Sequence, residues 1–429
     1  MADTKESMFG CVVVKIASRC NINCTYCYMY NKGDETYLSQ PKKMSDEVVD
    51  TMLQRVRYHC LKHGIEYFRF VLHGGEPLLT GKDFIRTFVK KARRVLLPDT
   101  KPVFSIQTNA LLLDQEWVAL FKELGIHVGI SIDGVKEVND EYRVDHQGKG
   151  TYDRVVAGIQ QLHDFNADKA PKEQVHPGAI LVVNPDSDPV EAYHHFKELG
   201  LKAIKPVLPD YTYEDLPENF DPEDTTHTPF GDWLIALFDE WFQDQENQIR
   251  VSLFKEIIEL LLGSESGTDT VGNDEVGVIV VETDGGIETV DALKVCGHGF
   301  TKEGLNVLQH EFDESLDTSL AGMYFMSKKQ LCNQCQACPV NEICGGGFIP
   351  HRYSRKNGFN NPSIYCYGLM KLMTHIQGRV LGQFPKALLE ESGIEILTFE
   401  KAYQMLQENL QQNPAEATYA PLLESFGQP

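Results

Sequence analysis

Between residues 11 and 207, short β-branched apolar runs alternate with segments of helical period, and few folds accept that order. "CVVVKIA" (11–17), "YFRFVLHGG" (67–75), "PVFSIQTN" (102–109), "IHVGISIDG" (126–134), "GAILVVN" (178–184) and "LKAIKPV" (201–207) read as strands. Helical stretches near 44–60, 84–97, 114–124, 151–165 and 189–199 separate them. In "MSDEVVDTMLQRVRYHC" (44–60), apolar residues at 48, 49, 52, 53 and 56 follow a Ser45 cap and an acidic first turn. Repeated strand–helix units predict parallel strands with right-handed crossovers, hence an α/β fold, a partial (β/α)6 TIM-like barrel. Chemistry in such folds gathers at the C-terminal ends of the strands. There the chain places cysteines after the first strand, "HGGEP" after the second, "QTNA" at the third and "SIDG" at the fourth.

The cysteines are Cys20, Cys24 and Cys27, spaced C-x3-C-x2-C. Soft thiolates suit zinc, copper(I) and iron–sulfur clusters. A structural zinc site wants four ligands, usually as two C-x2-C pairs. The local set is three, and Cys11 and Cys60 read as core thiols of a strand and a helix. Three thiolates can hold three irons of a [4Fe–4S] cube and leave the fourth open to a chelating ligand. A second field, Cys332, Cys335, Cys338, Cys344 and Cys366, lies in a glycine-rich stretch of weak periodicity. Before it, "VGVIVVETDGGIETVDALKVCGHG" (276–299) reads as two strands around a Gly285-Gly286 turn.

Composition narrows the function classes. With 62 acidic against 40 basic side chains, net charge −22, the field repels phosphate backbones, and no nucleic-acid partner is expected. The acidic run "DYTYEDLPENFDPED" (210–224) reads as a solvated loop. No run of 18 apolar residues and no secretory pattern at the N-terminus predict a cytoplasmic protein without a membrane span.

Cys20, Cys24, Tyr26 and Cys27 together resemble the C-x3-C-x-aromatic-C signature of the radical S-adenosylmethionine (SAM) enzymes, and "HGGEP" (73–77) resembles that superfamily's Gly-Gly-Glu motif. The resemblance implies a [4Fe–4S] cluster on Cys20, Cys24 and Cys27, with SAM on its open iron. It implies SAM contacts from Gly74, Gly75, Glu76, Asn109, Ser131, Asp133, Arg143 and Tyr26, while Tyr28 and Tyr30 are candidates to wall the cluster from water. Gly75, lacking a Cβ, is expected to let the backbone approach the ligand.

Cys335, Cys338, Cys344 and Cys366 resemble the SPASM extension, implying an auxiliary [4Fe–4S] cluster. Gly345-Gly346-Gly347 is expected to turn N–H groups towards its sulfides. The fuller seven-cysteine pattern has a cysteine where this chain has Phe348. Cys296 and Cys332 remain as candidates for a second auxiliary cluster. The resulting layout is a radical SAM core over 8–265, a SPASM domain over 276–370 and a helical tail over 371–429.

"CPVNEICGGGFIPHRYSRKNGFNNPSIYC" is similar to the form in FxsB- and GrrM-like peptide maturases, many of them cyclophane-forming. The resemblance implies hydrogen abstraction from a side chain of a ribosomally made precursor peptide and a Cβ-to-aromatic crosslink. His351, Arg352 and Tyr353 are read as shaping the cluster loop. A flavodoxin- or ferredoxin-type electron donor is implied, and, because the barrel begins within the first dozen residues, leader recognition is expected to fall to a separate leader-recognition protein or to grooves of the barrel and tail. Three alternatives stand beside it: an anaerobic sulfatase-maturing type enzyme that makes formylglycine, a non-catalytic iron–sulfur or zinc regulatory protein, and an RNA-modifying radical SAM enzyme, which the acidic balance and the SPASM-like half disfavour. No general base is named by the sequence.

Overall fold

The computed structural model describes residues 9–244, 249–264, 268–412 and 419–427. They form two compact units: Met1–Leu181, His195–Ile204 and Gly277–Phe325 make the first, and Val182–His194, Lys205–Val276 and Met326–Pro429 the second.

The first unit is built on a sheet containing β1 (Cys11–Ala17), β2 (Tyr67–Gly74), β3 (Lys101–Thr108), β4 (Ile126–Ser131) and β5 (Gly178–Val182), side by side and parallel. β6 (Ala203–Val207) follows β5 in the strand order. Val12, Val14 and Ile16 on one face and Lys15 on the other are fully buried, the mark of a strand covered on both sides. Helices α1 (Asp46–His63), α2 (Lys82–Leu96), α3 (Gln115–Leu124), α4 (Lys136–Tyr142) and α5 (Tyr152–Asn166) connect the first five strands. Helix α1 starts where the sequence places it: the Ser45 hydroxyl accepts from Val48 N at 3.2 Å. Val48, Val49, Met52, Leu53 and Val56 are buried, and Gly64, at φ 65°, ends the helix.

Most strands stop short of the sequence reading. β4 ends at Ser131 rather than 134, because the following residues leave the ladder to build loops. The end of β2 shows the cause: Gly75 N donates to Ala17 O at 2.9 Å and Glu76 N to Arg19 O at 3.0 Å. Backbone groups that would continue the ladder instead clamp the loop carrying the cysteines.

The Gly285 turn, at φ 86°, joins β8 (Val278–Val281) and β9 (Gly286–Glu288) as an antiparallel pair, as the sequence predicts. The sequence did not announce where this hairpin goes. β8 runs parallel to β1, from Cys11↔Val278 to Val14↔Val281, so β1 has a strand on each side. β10 (Lys302–Asn306) pairs antiparallel with β9.

In the second unit, α7 (Pro229–Gln243) and α8 (Ser252–Leu261), with the two-residue β7 (Arg250–Val251) between them, precede the cysteine field. Helices α10 (Asn333–Ala337), α11 (Asn341–Cys344) and α12 (Cys366–Leu381) frame that field. Helix α12 crosses α7 at Gly231 and Gly368, where a Cβ on Gly231 would lie 2.5 Å from the Gly368 Cα. The tail forms α13 (Lys386–Ser392), α14 (Phe399–Gln412) and α15 (Ala420–Glu424). The acidic segment 210–224 is a half-exposed loop without helix or strand. Among the described residues, no helix is long and apolar enough to cross a membrane.

Candidate active site

The loop after β1 carries Cys20, Cys24 and Cys27 in consecutive tight turns, with Cys27 N donating to Cys24 O at 3.1 Å and Asn31 N to Cys27 O at 2.8 Å. Asn31 Nδ2 holds the Cys24 carbonyl at 2.7 Å. Burial pushes the Cys20 thiol up to about 12 and Cys27 to about 11, with Cys24 adding to both and Cys27 adding to Cys20. Three thiols on one tight loop, Cys24 buried and Cys20 and Cys27 half-buried, fit a cation, which would deprotonate them. Asn109 Nδ2 lies 3.8 Å from Cys20 Sγ and 2.8 Å from Asn21 Oδ1, an N–H aimed at a ligand sulfur.

Glu76 is fully buried and already engaged. Its carboxylate accepts from Leu78 N at 2.9 Å, Thr108 Oγ1 at 2.7 Å and Asn109 N at 2.8 Å. It thus ties the end of β2 to the end of β3. Burial still raises its carboxyl to about 7. Gly75 is glycine for a reason other than ligand approach. A Cβ there would fall 2.4 Å from Arg19 O and 2.1 Å from the Tyr30 hydroxyl. The close neighbour is the cysteine loop itself. Gly74, at φ 142°, would set a Cβ 2.1 Å from Ala17 O.

Tyr26, Asp133 and Arg143 form one chain. The Tyr26 hydroxyl donates to Asp133 Oδ2 at 2.6 Å and accepts from Arg143 Nη1 at 2.8 Å. Arg143 is buried, so a surface ion pair is excluded, and its Nε has no partner among the described residues. A buried guanidinium with an unused N–H beside the cysteine loop fits the carboxylate of SAM. Ser131, at the end of β4, accepts from Gln107 Nε2 at 2.8 Å. The residues that the sequence assigned to SAM and its cluster all lie in the first unit, where Asn109 links Cys20 to Glu76 and Tyr26 links Asp133 to Arg143.

A further group was missed. Lys15 sits inside the apolar run of β1 and is fully buried. Its Nζ pairs with Asp291 and lies 2.9 Å from His73 Nδ1. Asp291 also accepts from the hydroxyl of Tyr28, the residue after Cys27, at 2.7 Å. Burial acts to raise the Asp291 carboxyl, but Lys15 and the Tyr28 and Lys15 hydrogen bonds hold it below the usual carboxylate range. Burial and Lys15 drop His73 to about 3, leaving a neutral ring. The signal available in the sequence was a lysine in the middle of "VVVKIA".

In the second unit, Cys332 and Cys335 share a sulfur–sulfur hydrogen bond, Cys344 and Cys366 raise Cys335 electrostatically, and Cys332 and Cys344 raise Cys338. The expected glycine turn is present, with Gly345, Gly346 and Gly347 at φ 55°, 74° and 68°. Gly346 and Gly347 N–H groups point at Cys344. Two buried cations border the set. Lys328, lowered to about 7 by burial, donates to Gly347 O at 2.8 Å. Arg352 donates to Ser327 O at 3.0 Å and leaves Nε and Nη1 without a partner among the described residues. An anionic four-thiolate iron–sulfur cluster would satisfy both cations, so these residues fit it. His351, Arg352 and Tyr353 are buried, as a loop-shaping role requires. Cys296 lies in the first unit, buried at the end of the turn Asp291–Cys296, whereas Cys332 lies with the auxiliary set. Cys60 is buried as expected, but Cys11 is only half-buried.

Comparison with known proteins agrees with this geometry. Residues 14–174 match the model of the radical SAM superfamily. The chain is 26% identical over 370 residues to the cysteine-type anaerobic sulfatase-maturating enzyme of Clostridium perfringens, spanning 85% of this chain and 95% of the relative. It is 26% identical over 387 residues to the serine-type enzyme of Bacteroides thetaiotaomicron, spanning 85% and 89%. Among solved structures, native anSMEcpe with bound AdoMet and Cp18Cys peptide superposes with a TM-score of 0.71 at 25% identity, covering 87% of this chain and 98% of that one. Streptococcus suis SuiB bound to precursor peptide SuiA shares the fold at a TM-score of 0.54 and 15% identity, covering 84% and 76%. SAM and [4Fe–4S] clusters are the cofactors this architecture serves. The relatives favour the sulfatase-maturing alternative over the cyclophane reading. Residues 14–174 thus match the radical SAM superfamily, and most of the chain is similar to anaerobic sulfatase-maturating enzymes.

Proposed function

We propose that the protein oxidises a cysteine or serine side chain of a protein or peptide substrate to an aldehyde, as a sulfatase-maturing type radical SAM enzyme. The observation that carries this reading is the match to the Clostridium perfringens enzyme over 95% of that relative's length. A [4Fe–4S] cluster with SAM, held by Cys20, Cys24, Cys27 and the Arg143 side, supplies a 5′-deoxyadenosyl radical when bound. The oxidation removes a hydrogen atom from Cβ, a proton from the sulfur or oxygen, and one electron, after which a cysteine-derived thioaldehyde hydrolyses to the aldehyde and hydrogen sulfide. Asp291 is the proton acceptor in this proposal: it is ionised, buried and bonded to Tyr28 at the cysteine loop. Lys15 orients that carboxylate and keeps it charged, and neutral His73 holds the other side of the ammonium. In the second unit, Arg352 and Lys328 favour an electron-accepting auxiliary cluster on Cys335, Cys338, Cys344 and Cys366. A flavodoxin- or ferredoxin-type protein supplies the priming electron.

The test is anaerobic incubation of the reconstituted protein with SAM, dithionite and a peptide bearing a sulfatase cysteine or serine motif. Formation of 5′-deoxyadenosine together with a hydrazide-trappable aldehyde supports the reading. Deoxyadenosine without aldehyde on either peptide refutes it while leaving radical SAM chemistry intact.

The second reading, a cyclophane-forming maturase acting on a precursor peptide with a separate leader-recognition protein, is favoured by one feature. Phe348 stands where the seven-cysteine pattern has a ligand for another auxiliary cluster. Loss of two hydrogens from a genome-neighbouring precursor, with no aldehyde trapped, would select it.

A further inference from the structure

His59 and His63 lie one turn apart on α1 and face Asp313, in the turn Phe312–Asp317 of the same unit. One ligand atom from each lies within 4.8 Å of the others. His59 is 1% exposed, and its Nε2 is 3.0 Å from the Phe9 carbonyl, which can only accept. That bond places the hydrogen on Nε2 and turns the Nδ1 lone pair towards Asp313 Oδ1, 2.5 Å away. Lys62 Nζ, 2.6 Å from Asp313 Oδ2, keeps the carboxylate ionised. Two acceptors therefore face each other, and something positive must stand between them. His63 Nε2 meets the same carboxylate at 3.0 Å.

A proton on His59 is one solution. A divalent ion is the other. A ligating histidine commonly donates its second nitrogen to a backbone carbonyl, as His59 does to Phe9. Two imidazoles and a carboxylate suit zinc, which takes three protein ligands and a water at distances of roughly 2.0–2.2 Å. Opening the present contacts by less than an ångström would admit it. Arg55 fastens the other strand of the turn, bonding Val307 O at 3.1 Å and pairing with Glu311.

We propose that His59, His63 and Asp313 form a zinc site completed by water, separate from both cysteine sets, that locks the turn after β10 onto helix α1. The test uses the full-length protein, reconstituted anaerobically with iron and sulfide, given zinc chloride and then desalted. Metal content and the zinc K-edge absorption spectrum are recorded. About one zinc per chain is expected, with a nitrogen and oxygen shell, no sulfur, and a raised thermal midpoint. His63→Gln and Asp313→Asn should each lower the retained zinc by about tenfold or more while SAM cleavage persists. Zinc lost on desalting, zinc with sulfur neighbours, or retention unchanged in both variants would overturn the site and leave a protonated His59 bridging to Asp313. If a variant fails to fold, the wild-type absorption shell decides alone.

Discussion

Replacing Lys15 by methionine keeps the bulk of the side chain in β1 and removes the cation that pairs with Asp291. At an ion-pair separation of ~3 Å and an effective dielectric constant of ~20, the attraction lost is ~5 kcal/mol. Breaking a buried pair from one side costs about 3–5 kcal/mol, since the remaining charge has no compensation. Its pH dependence should also reverse. In the wild type the folded Asp291 carboxyl lies below its unfolded value, so the pair's contribution is fully present above pH ~4 and disappears as pH falls through the folded value. Without Lys15, burial dominates and the carboxyl rises above its unfolded value, so the variant loses stability as pH rises through that range. Lys15→Met joined to Asp291→Asn should recover most of the loss, because neither charge is then stranded. Anaerobic urea unfolding, followed by circular dichroism near pH 5 and pH 7.5, measures all four corners of the cycle. A coupling below ~0.5 kcal/mol, or wild-type stability of the single lysine variant at the higher pH, would refute the reasoning. Both single variants should still release 5′-deoxyadenosine while forming little aldehyde, which separates proton acceptance from radical generation.

Gly75→Ala should destabilise by about 1–3 kcal/mol and lower iron uptake, because the added methyl meets the Arg19 carbonyl of the cysteine loop; full iron content would contradict this. Glu76, raised to about 7 by burial, binds its proton more tightly in the folded state, so its contribution to stability should fall by about 3 kcal/mol between pH ~4.5 and pH ~7. Glu76→Gln should flatten that slope in urea midpoints, and an unchanged slope would place the titration elsewhere. Arg352→Leu should lower the auxiliary cluster's potential by on the order of 100 mV, since one buried positive charge beside two of its thiols, Cys335 and Cys344, is removed; an unshifted midpoint in a redox titration followed by electron paramagnetic resonance would show that Arg352 lies outside the cluster's field.

The local features were legible from the sequence. Strand–helix alternation fixed β1 to β6, Ser45 announced α1, and the Gly285 turn announced the β8–β9 hairpin, because each depends on residues a few positions apart. The pairing of β8 with β1 was not legible, since nothing in "VIVV" or "VVVK" identifies the other as its neighbour. The same non-locality hid the Lys15–Asp291 pair and the His59–His63–Asp313 group, in which each aspartate lies more than two hundred positions along the chain from its partners. The SAM-side residues all lie in the first unit, and nothing in the sequence signalled the structural duties two of them carry there. Glu76 joins two strand ends, and Gly75 clears space for the cysteine loop, roles that appear only when the strands stand side by side.

The two neighbours of β1 also set a clock on synthesis. Val278 follows Cys11 by so much chain that, at ribosomal rates of 5–20 residues per second, β8 emerges about 13–53 s after β1. Until then β1 has one open edge and Lys15 waits, uncompensated, for Asp291. The nascent chain can pair β1 with β2 early, yet the cysteine loop stays unsupported on the Tyr28 side until the hairpin arrives. Cluster assembly is therefore a late event, and ribosome-stalled chains ending before Val278 should capture less iron than chains that extend past Cys296.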